Sequence, residues 1–331
     1  WSLNVQHQLP GRALIDVSYV GNRGTALMVN RELNTLANSY LSTLSVRDDA
    51  VNNFLTARVN NPFANLLPGT TLNAATIARS SLLLPYPHFT SVRQNLEPIG
   101  YTWYHSLQSR IEKQFSQGLL VSGSWTWSKN MDSSSFRNGG DAFLDEVISS
   151  SDRTHRLVIH GIYELPFGRG RKIGASMHKA LNAIAGGWQL GAIYQAQGGA
   201  PMSIGDPVLT GPFKITDLVL PESQRKPERY INTDVNLNKV AARAFVSHLN
   251  TTSARWGALR GDGMNQWDVS VAKTWKLHER LALRFQTQFL NAFNHVTFET
   301  PNLNSTSTAF GTLTSEASVP RTIRWGLRVE F

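Results

Sequence analysis

The side chains in this chain that could act on something are few and poorly grouped. There are no cysteines, which removes thiolate nucleophiles, disulfides and sulfur-ligated metals. His155 and His160 stand at an odd spacing in a stretch that alternates like a strand, so they point to opposite faces and cannot share a metal. Asp152 and Arg153 precede that stretch and read as a loop tie. Asp48 and Asp49 could hold calcium, but acids at the head of an apolar helical repeat read first as a helix start. Gly205-Asp-Pro207 and Arg260-Gly-Asp262 read as turns. There is no Gly-rich phosphate loop, HExxH or GxSxG. The expectation is therefore no catalytic centre, no cofactor and no metal, and the chain is not read as an enzyme.

Charge points to no specific partner either. The formal net charge is +9, but the bases are scattered and the densest group, Arg169, Arg171 and Lys172, is short. No nucleic-acid-binding signature accompanies it, so nucleic acid is not expected as a partner. The aromatics Tyr86, Phe89 and Trp256 lie in long connections, where they could touch a glycan or peptide; packing against neighbouring loops is the simpler reading.

What must position these residues is a set of alternating stretches. At 101–116, Tyr101, Trp103, Leu107, Ile111 and Phe115 share one face, while Thr102, Gln108, Arg110, Glu112 and Gln114 share the other. The same period of two marks 1–9, 12–21, 119–128, 155–165, 188–197, 267–277, 281–293 and 321–331. Pro10 with Gly11, Gln117 with Gly118 and His278 with Glu279 mark tight turns. The connection around 166–187 is longer, with a helix expected at 175–185 ending at Gly186. The remaining connections, about 22–100, 130–154, 198–266 and 294–320, are long. Helices are expected inside the first of these at 46–59 and 71–84.

Short turns at one end and long loops at the other are the connection pattern of outer-membrane barrels. Only 17% of residues are charged, against about 25% for a soluble domain. No apolar run approaches the roughly 20 residues of a membrane helix. The fold class expected is all-β: an antiparallel transmembrane outer-membrane β-barrel with long extracellular loops, the apolar face to lipid and the polar face to a lumen. Arg110, Glu112, Arg284, Gln286, Arg324 and Arg328 are the lumen-facing candidates. Nine antiparallel strands cannot close, because the first and last would be parallel. With Trp1 at the start and no signal peptide, 1–331 is expected to be the C-terminal portion of one barrel domain. The last stretch places Ile323, Trp325, Leu327, Val329 and Phe331 on one face, an alternating run with a terminal aromatic that reads as an assembly signal for the barrel-assembly machinery.

Several segments resemble TonB-dependent receptors of the Oar-like type, which carry a carboxypeptidase-regulatory-like N-terminal domain and occur in acidobacteria. They are Val17-Ser-Tyr-Val-Gly-Asn-Arg-Gly24, Asn61-Pro-Phe63, Leu84-Pro-Tyr-Pro-His-Phe89, Tyr104-His-Ser-Leu-Gln108, Ser124-Trp-Thr-Trp-Ser-Lys129, Tyr163-Glu-Leu-Pro-Phe-Gly168, Gly187-Trp-Gln189, Phe289-Leu-Asn-Ala-Phe-Asn-His295 and Pro320-Arg321. They run in family order along the chain. The resemblance implies a 22-stranded barrel, a plug domain, TonB as an energising partner and import of a scarce, bulky ligand. The plug, the TonB box and the regulatory-like domain are not in these 331 residues. The expected role is barrel wall and extracellular loops of such a receptor in the bacterial outer membrane, in contact with its lipid. Two other functions use the same strands: a passive porin, and a surface barrel for adhesion or structure.

Overall fold

Each of the nine alternating stretches forms a strand. In the computed structural model, which describes every residue except Glu279, these are β1 (Ser2–Leu9), β2 (Ala13–Glu32), β3 (Arg93–Ser116), β4 (Leu119–Ser133), β5 (His155–Glu164), β6 (Trp188–Gln197), β7 (Met264–His278), β8 (Leu281–Leu290) and β9 (Thr322–Glu330). Each pairs antiparallel with its neighbours in chain order, giving one long meander that is not closed on itself. The fold is the antiparallel barrel wall the alternation implied. Among the described residues no helix is long and apolar enough to cross a membrane.

The tight turns follow from their residues. Gln117 (φ 53°) and Gly118 (φ 83°) both adopt the left-handed conformation of a type I′ turn between the paired Ser116 and Leu119. Leu9 pairs with Ala13 across Pro10, Gly11 and Arg12, the last two again left-handed. The turn expected at His278 and Glu279 includes Glu279, which lies outside the described residues.

Two strands are much longer than their alternation indicated. β3 has 24 residues, roughly 80 Å of extended chain, where crossing a bilayer takes about ten residues. β2 and β3 therefore continue past the membrane as a projecting ribbon, and the first long loop is 33–92 rather than 22–100. The alternation missed this because the register shifts between Gly24 and Leu27, between Leu27 and Met28, and between Val29 and Arg31, with Ala26 and Leu96 left-handed. Each bulge swaps the faces and erases a period of two.

The helices also differ in detail. α1 (Asp49–Thr56) starts at Asp48, whose side chain accepts from the Val51 N–H, and buries Leu55. The expected 71–84 helix is not one helix. A short turn (Thr71–Asn73) and a strand (Thr76–Ala78) precede the single-turn α2 (Arg79–Leu82). The strand pairs with Arg58–Asn60, and the Asn61 amide donates to the carbonyls of Leu72 and Ala74, so the backbone bonds a helix would use are already taken. α3 (Lys179–Ala185) begins later than expected, at a His178 cap, and ends at Gly186 as anticipated.

The hydrophobic core does not lie between sheet layers. It sits in the long loops, where Met202, Leu218, Tyr230, Ile231, Leu237, Leu259 and Phe310 pack together. The wall instead leaves large apolar side chains in the open: Leu3 is 68% exposed, Trp325 73% and Leu327 67%. A soluble sheet would cover such a face; a barrel wall presents it to lipid.

Candidate functional site: the polar face and the loop cap

Strand register sorts the side chains into two faces. On one, Ile111, Gly123, Ile159, Tyr194 and Trp267 are successive partners across five strands. Further along, Leu119, Tyr163, Leu190 and Val271 form a second apolar row. Near the loop end this face carries a belt of aromatics. The Trp1 and Trp103 rings lie 5.7 and 5.4 Å from His105, Trp125 stacks on His155, and Tyr194 stacks on Trp267 at 4.5 Å. Toward the tight turns it carries Trp188 and Trp275. Trp267 and Trp275 share β7, roughly 26 Å apart along it, close to the apolar band of a membrane barrel.

The other face is polar. Ser18, Gln108, Thr126, Arg156 and Gln197 are partners in one row across five strands. Asp16, Arg110, Ser124, Val158, Gln195 and Gln266 form the next. The six residues singled out in the sequence all fall on this face. Arg110 pairs with Glu112 at 2.5 Å. Arg284 stands opposite Arg328, Gln286 opposite Gly326, and Gln288 opposite Arg324. The two facing guanidinium groups turn apart: Arg284 donates to Gln189 at 3.3 Å, and Arg328 lies 3.8 Å from Glu330. His160 is on this face beside Ser122, while His155 is on the other, so no metal is shared between them. A cleft of about 260 Å³ opens on the first polar row, lined by Tyr104, Gln108, Thr126, Arg153, Arg156 and Gln197. Gln108 stands on the polar face by its parity but is not among the lumen-facing candidates, and the same parity is the signal that finds Arg156 and Gln197.

Above this face the long loops are tied into one body. Arg255 clamps both carboxylate oxygens of Asp132 at 3.1 Å and donates to the Ile148 carbonyl. Arg137 pairs with Asp145 and reaches the Thr251 carbonyl, and it becomes a stronger base because of the Asp145 hydrogen bond. Asn138 and Asn250 exchange hydrogen bonds, and Ser42 exchanges backbone bonds with Ser247 and Leu249. The 33–92, 134–154 and 198–263 loops are therefore mutually bonded. Burial pushes the Tyr230 phenol up to about 12, with Asp262 adding to the effect. Asp48, expected at a helix start, is one: the Val51 N–H and the Ser42 hydroxyl hold its carboxyl below the usual range.

Asp152 and the Arg260-Gly-Asp262 triplet are consumed inside this body. Asp152 accepts from the Asn130 N–H and from Arg260, and Asp262 accepts from the Phe298 N–H. Trp256 packs against the loop core, whereas Tyr86 and Phe89 are 41% and 51% exposed.

A wall with an apolar belted face, a polar face and long loops at one end matches a known sequence family, the outer membrane beta barrel domain, over residues 1–324. The chain belongs to that family. Barrel-domain proteins of this family are bacterial outer-membrane proteins, and that is where this barrel domain resides. No curated protein matches the sequence. Among solved structures, the barrel domain is similar to the outer membrane transporter YddB from Escherichia coli, at 10% identity and a TM-score of 0.44, over 99% of this chain and 31% of that one. It is also similar to FpvA of P. aeruginosa, solved bound to heterologous pyoverdines, at 11% identity and a TM-score of 0.38, over 100% of this chain and 26% of that one. The FpvAI–pyocin S2 complex gives 10% identity and 0.38, over 100% and 26%. The chain spans less than a third of the length of each.

Proposed function

We propose that the barrel domain supplies wall and extracellular loops to a TonB-dependent outer-membrane transporter of the Oar-like type, which imports a bulky, scarce ligand. The observation that carries this reading is the loop cap: three long loops joined to one another at the end of a polar wall by hydrogen bonds (Ser42 with Ser247 and Leu249, Asn38 with Asp141, Asn138 with Asn250) and by the Asp152–Arg260 ion pair. A passive pore gains nothing from covering its own entrance, whereas a receptor needs a shaped and ordered surface to select a rare ligand. The order of receptor-like motifs along the chain supports the same reading.

On this reading the polar face, with Arg110, Glu112, Arg284, Gln286, Arg324 and Arg328, lines the lumen and hydrogen-bonds a plug supplied by the rest of the parent protein. TonB acts on that plug from the periplasm. Ile323, Trp325, Leu327, Val329 and Phe331 serve the assembly machinery. The wall performs no reaction and is not an enzyme.

The test uses the complete protein that carries this chain. Reconstituted in a planar bilayer, it is expected to show no steady open conductance and to bind the periplasmic domain of TonB. A stable open conductance without TonB binding would establish the porin instead.

A further inference from the structure

The connection between β5 and β6 lies at the tight-turn end of the wall. From 165 to 187 it carries Arg169, Arg171, Lys172 and Lys179 and no acidic residue. Its helix α3 is docked on the apolar face through backbone carbonyls. The Trp188 indole donates to the Ile184 carbonyl and the Trp275 indole to the Ala183 carbonyl, both at 2.8 Å. Lys273, which lies in an apolar row opposite Trp188 and Phe285, donates to the carbonyls of Ile184 and Gly186 at 2.8 and 2.6 Å. Its ammonium sits over the Trp188 and Trp275 rings at 4.7 and 5.3 Å, and the residue is 2% exposed. The charge of Lys273 is thus used up on the last carbonyls of α3. Gly187 makes the close approach possible: its φ is 75°, and a Cβ there would stand 2.6 Å from the Thr274 carbonyl oxygen.

This docking turns the apolar residues of α3 outward. Leu181 is 60% exposed and Ile184 72%, with Leu277 at 61% nearby. Beside them a cavity of about 640 Å³ is lined by Arg169, Arg171, Lys179, Asn182, Trp275 and Lys276. Arg171 is paired with Glu164 at 2.8 Å. Arg169, Lys179 and Lys276 have no carboxylate partner among the described residues. A preformed basic cavity therefore adjoins outward leucine and isoleucine side chains and two indoles of the kind that settle at a membrane boundary.

We propose that this cavity binds the phosphate headgroup of an anionic phospholipid in the leaflet at the tight-turn end, with Leu181 and Ile184 seated at the acyl boundary. Arg169 and Lys179 hold the phosphate, and Asn182 supplies a neutral hydrogen bond. Lys273 and the two indoles position α3 and do not touch the lipid. The proposal rests on the reading that the apolar face meets lipid.

The chain has no cysteine, so Ser176→Cys in a cysteine-free form of the complete protein takes a single fluorophore in the connection whose residues line the cavity. The protein is placed in nanodiscs of phosphatidylcholine containing a minor fraction of phosphatidylglycerol, with one or the other lipid brominated as quencher. Per molecule, brominated phosphatidylglycerol is expected to quench roughly tenfold better than brominated phosphatidylcholine. That preference should vanish in R169Q/K179Q, persist in R169K/K179R and weaken as salt rises. Equal quenching by the two lipids in the parent overturns the headgroup site while leaving the lipid-facing wall intact. No quenching by either overturns the lipid-facing reading itself. Loss of the preference on adding inorganic phosphate would make the ligand a soluble anion and overturn the assignment to lipid.

Discussion

Asp152 and Arg260 are 108 residues apart in the chain, and their carboxylate and guanidinium groups meet at 2.6 Å. The Asp152 side chain is 0% exposed. Its other oxygen takes the Asn130 N–H at 2.7 Å, and Arg260 also donates to the Gly199 carbonyl at 3.1 Å. One carboxylate thereby joins the top of β4, the start of β5 and the far end of the 198–263 loop. Removing one partner of a buried pair leaves the other charge stranded, at a cost of about 3 kcal/mol. Asp152→Ala should lower the melting temperature of the complete protein in detergent and expose the 198–263 loop to protease, with the strand content unchanged. Wild-type protease resistance would show that this pair does not hold the cap together.

The two faces make a second prediction. Val271 pairs with Leu190 in the middle of the apolar face, whereas Leu283 pairs with Trp275, near the tight-turn belt. An arginine facing lipid costs about 2–4 kcal/mol at mid-bilayer and near zero at the boundary. Val271→Arg should therefore destabilise the protein refolded into lipid more than Leu283→Arg does. Equal and negligible costs at both sites would mean that the apolar face does not meet lipid.

Glu32 gives a pH dependence. It lies at the far end of the projecting ribbon, where Ser91, the Val92 and Asn34 N–H groups and Arg93 all bond to its carboxylate and hold it down to about 2. A depressed carboxyl stabilises the fold fully above its unfolded value, 4.5, and loses that contribution as the pH falls through the folded value. The junction of 33–92 with the ribbon should hold at pH 6 and loosen between about 4 and 2. Glu32→Gln should be looser at pH 6 and show no such transition. Amide exchange at residues 91–93 reads both outcomes.

Asn291 ends β8 in a left-handed conformation, φ 48°, and is 3% exposed. Its side chain donates to the carbonyls of His295 and Val319 and accepts from the His295 N–H. Asn291→Gly keeps the conformation but loses the three bonds; Asn291→Ala loses both. Each should destabilise the 294–320 loop, by about 1–3 kcal/mol for the unsatisfied groups, with alanine worse by about 1 kcal/mol for the strained backbone. Thermal unfolding of the two variants side by side checks the order, and equal melting would remove the backbone contribution.

Much of the wall was legible because a strand exposes its faces in strict alternation. Leu119, Val121, Trp125 and Trp127 declare β4 without reference to any other residue. The ribbon beyond Gly21 was not legible, since bulges at Gly24–Leu27 and Val29–Arg31 scramble the parity on which that reading depends. A single helix at 71–84 does not form for a different reason: Asn61 and the strand Arg58–Asn60 compete for its backbone, and both lie outside that segment. The polar row of Gln108, Arg156 and Gln197 was implicit in parity but needed the register to bring the three together.

The sequence by itself determined nine strands, their order, the two faces they present and which end of the wall carries the long loops, because a two-residue period and turn residues act over a few positions of chain. Only the tertiary structure decided that Asp152 meets Arg260, that Asp132 meets Arg255, and that Lys273 is spent on the carbonyls of α3 instead of facing the membrane. Those contacts close over more than a hundred residues of chain, two wall strands included, or turn on where one short helix comes to rest. No local period encodes them, since each depends on many weak contacts being satisfied together.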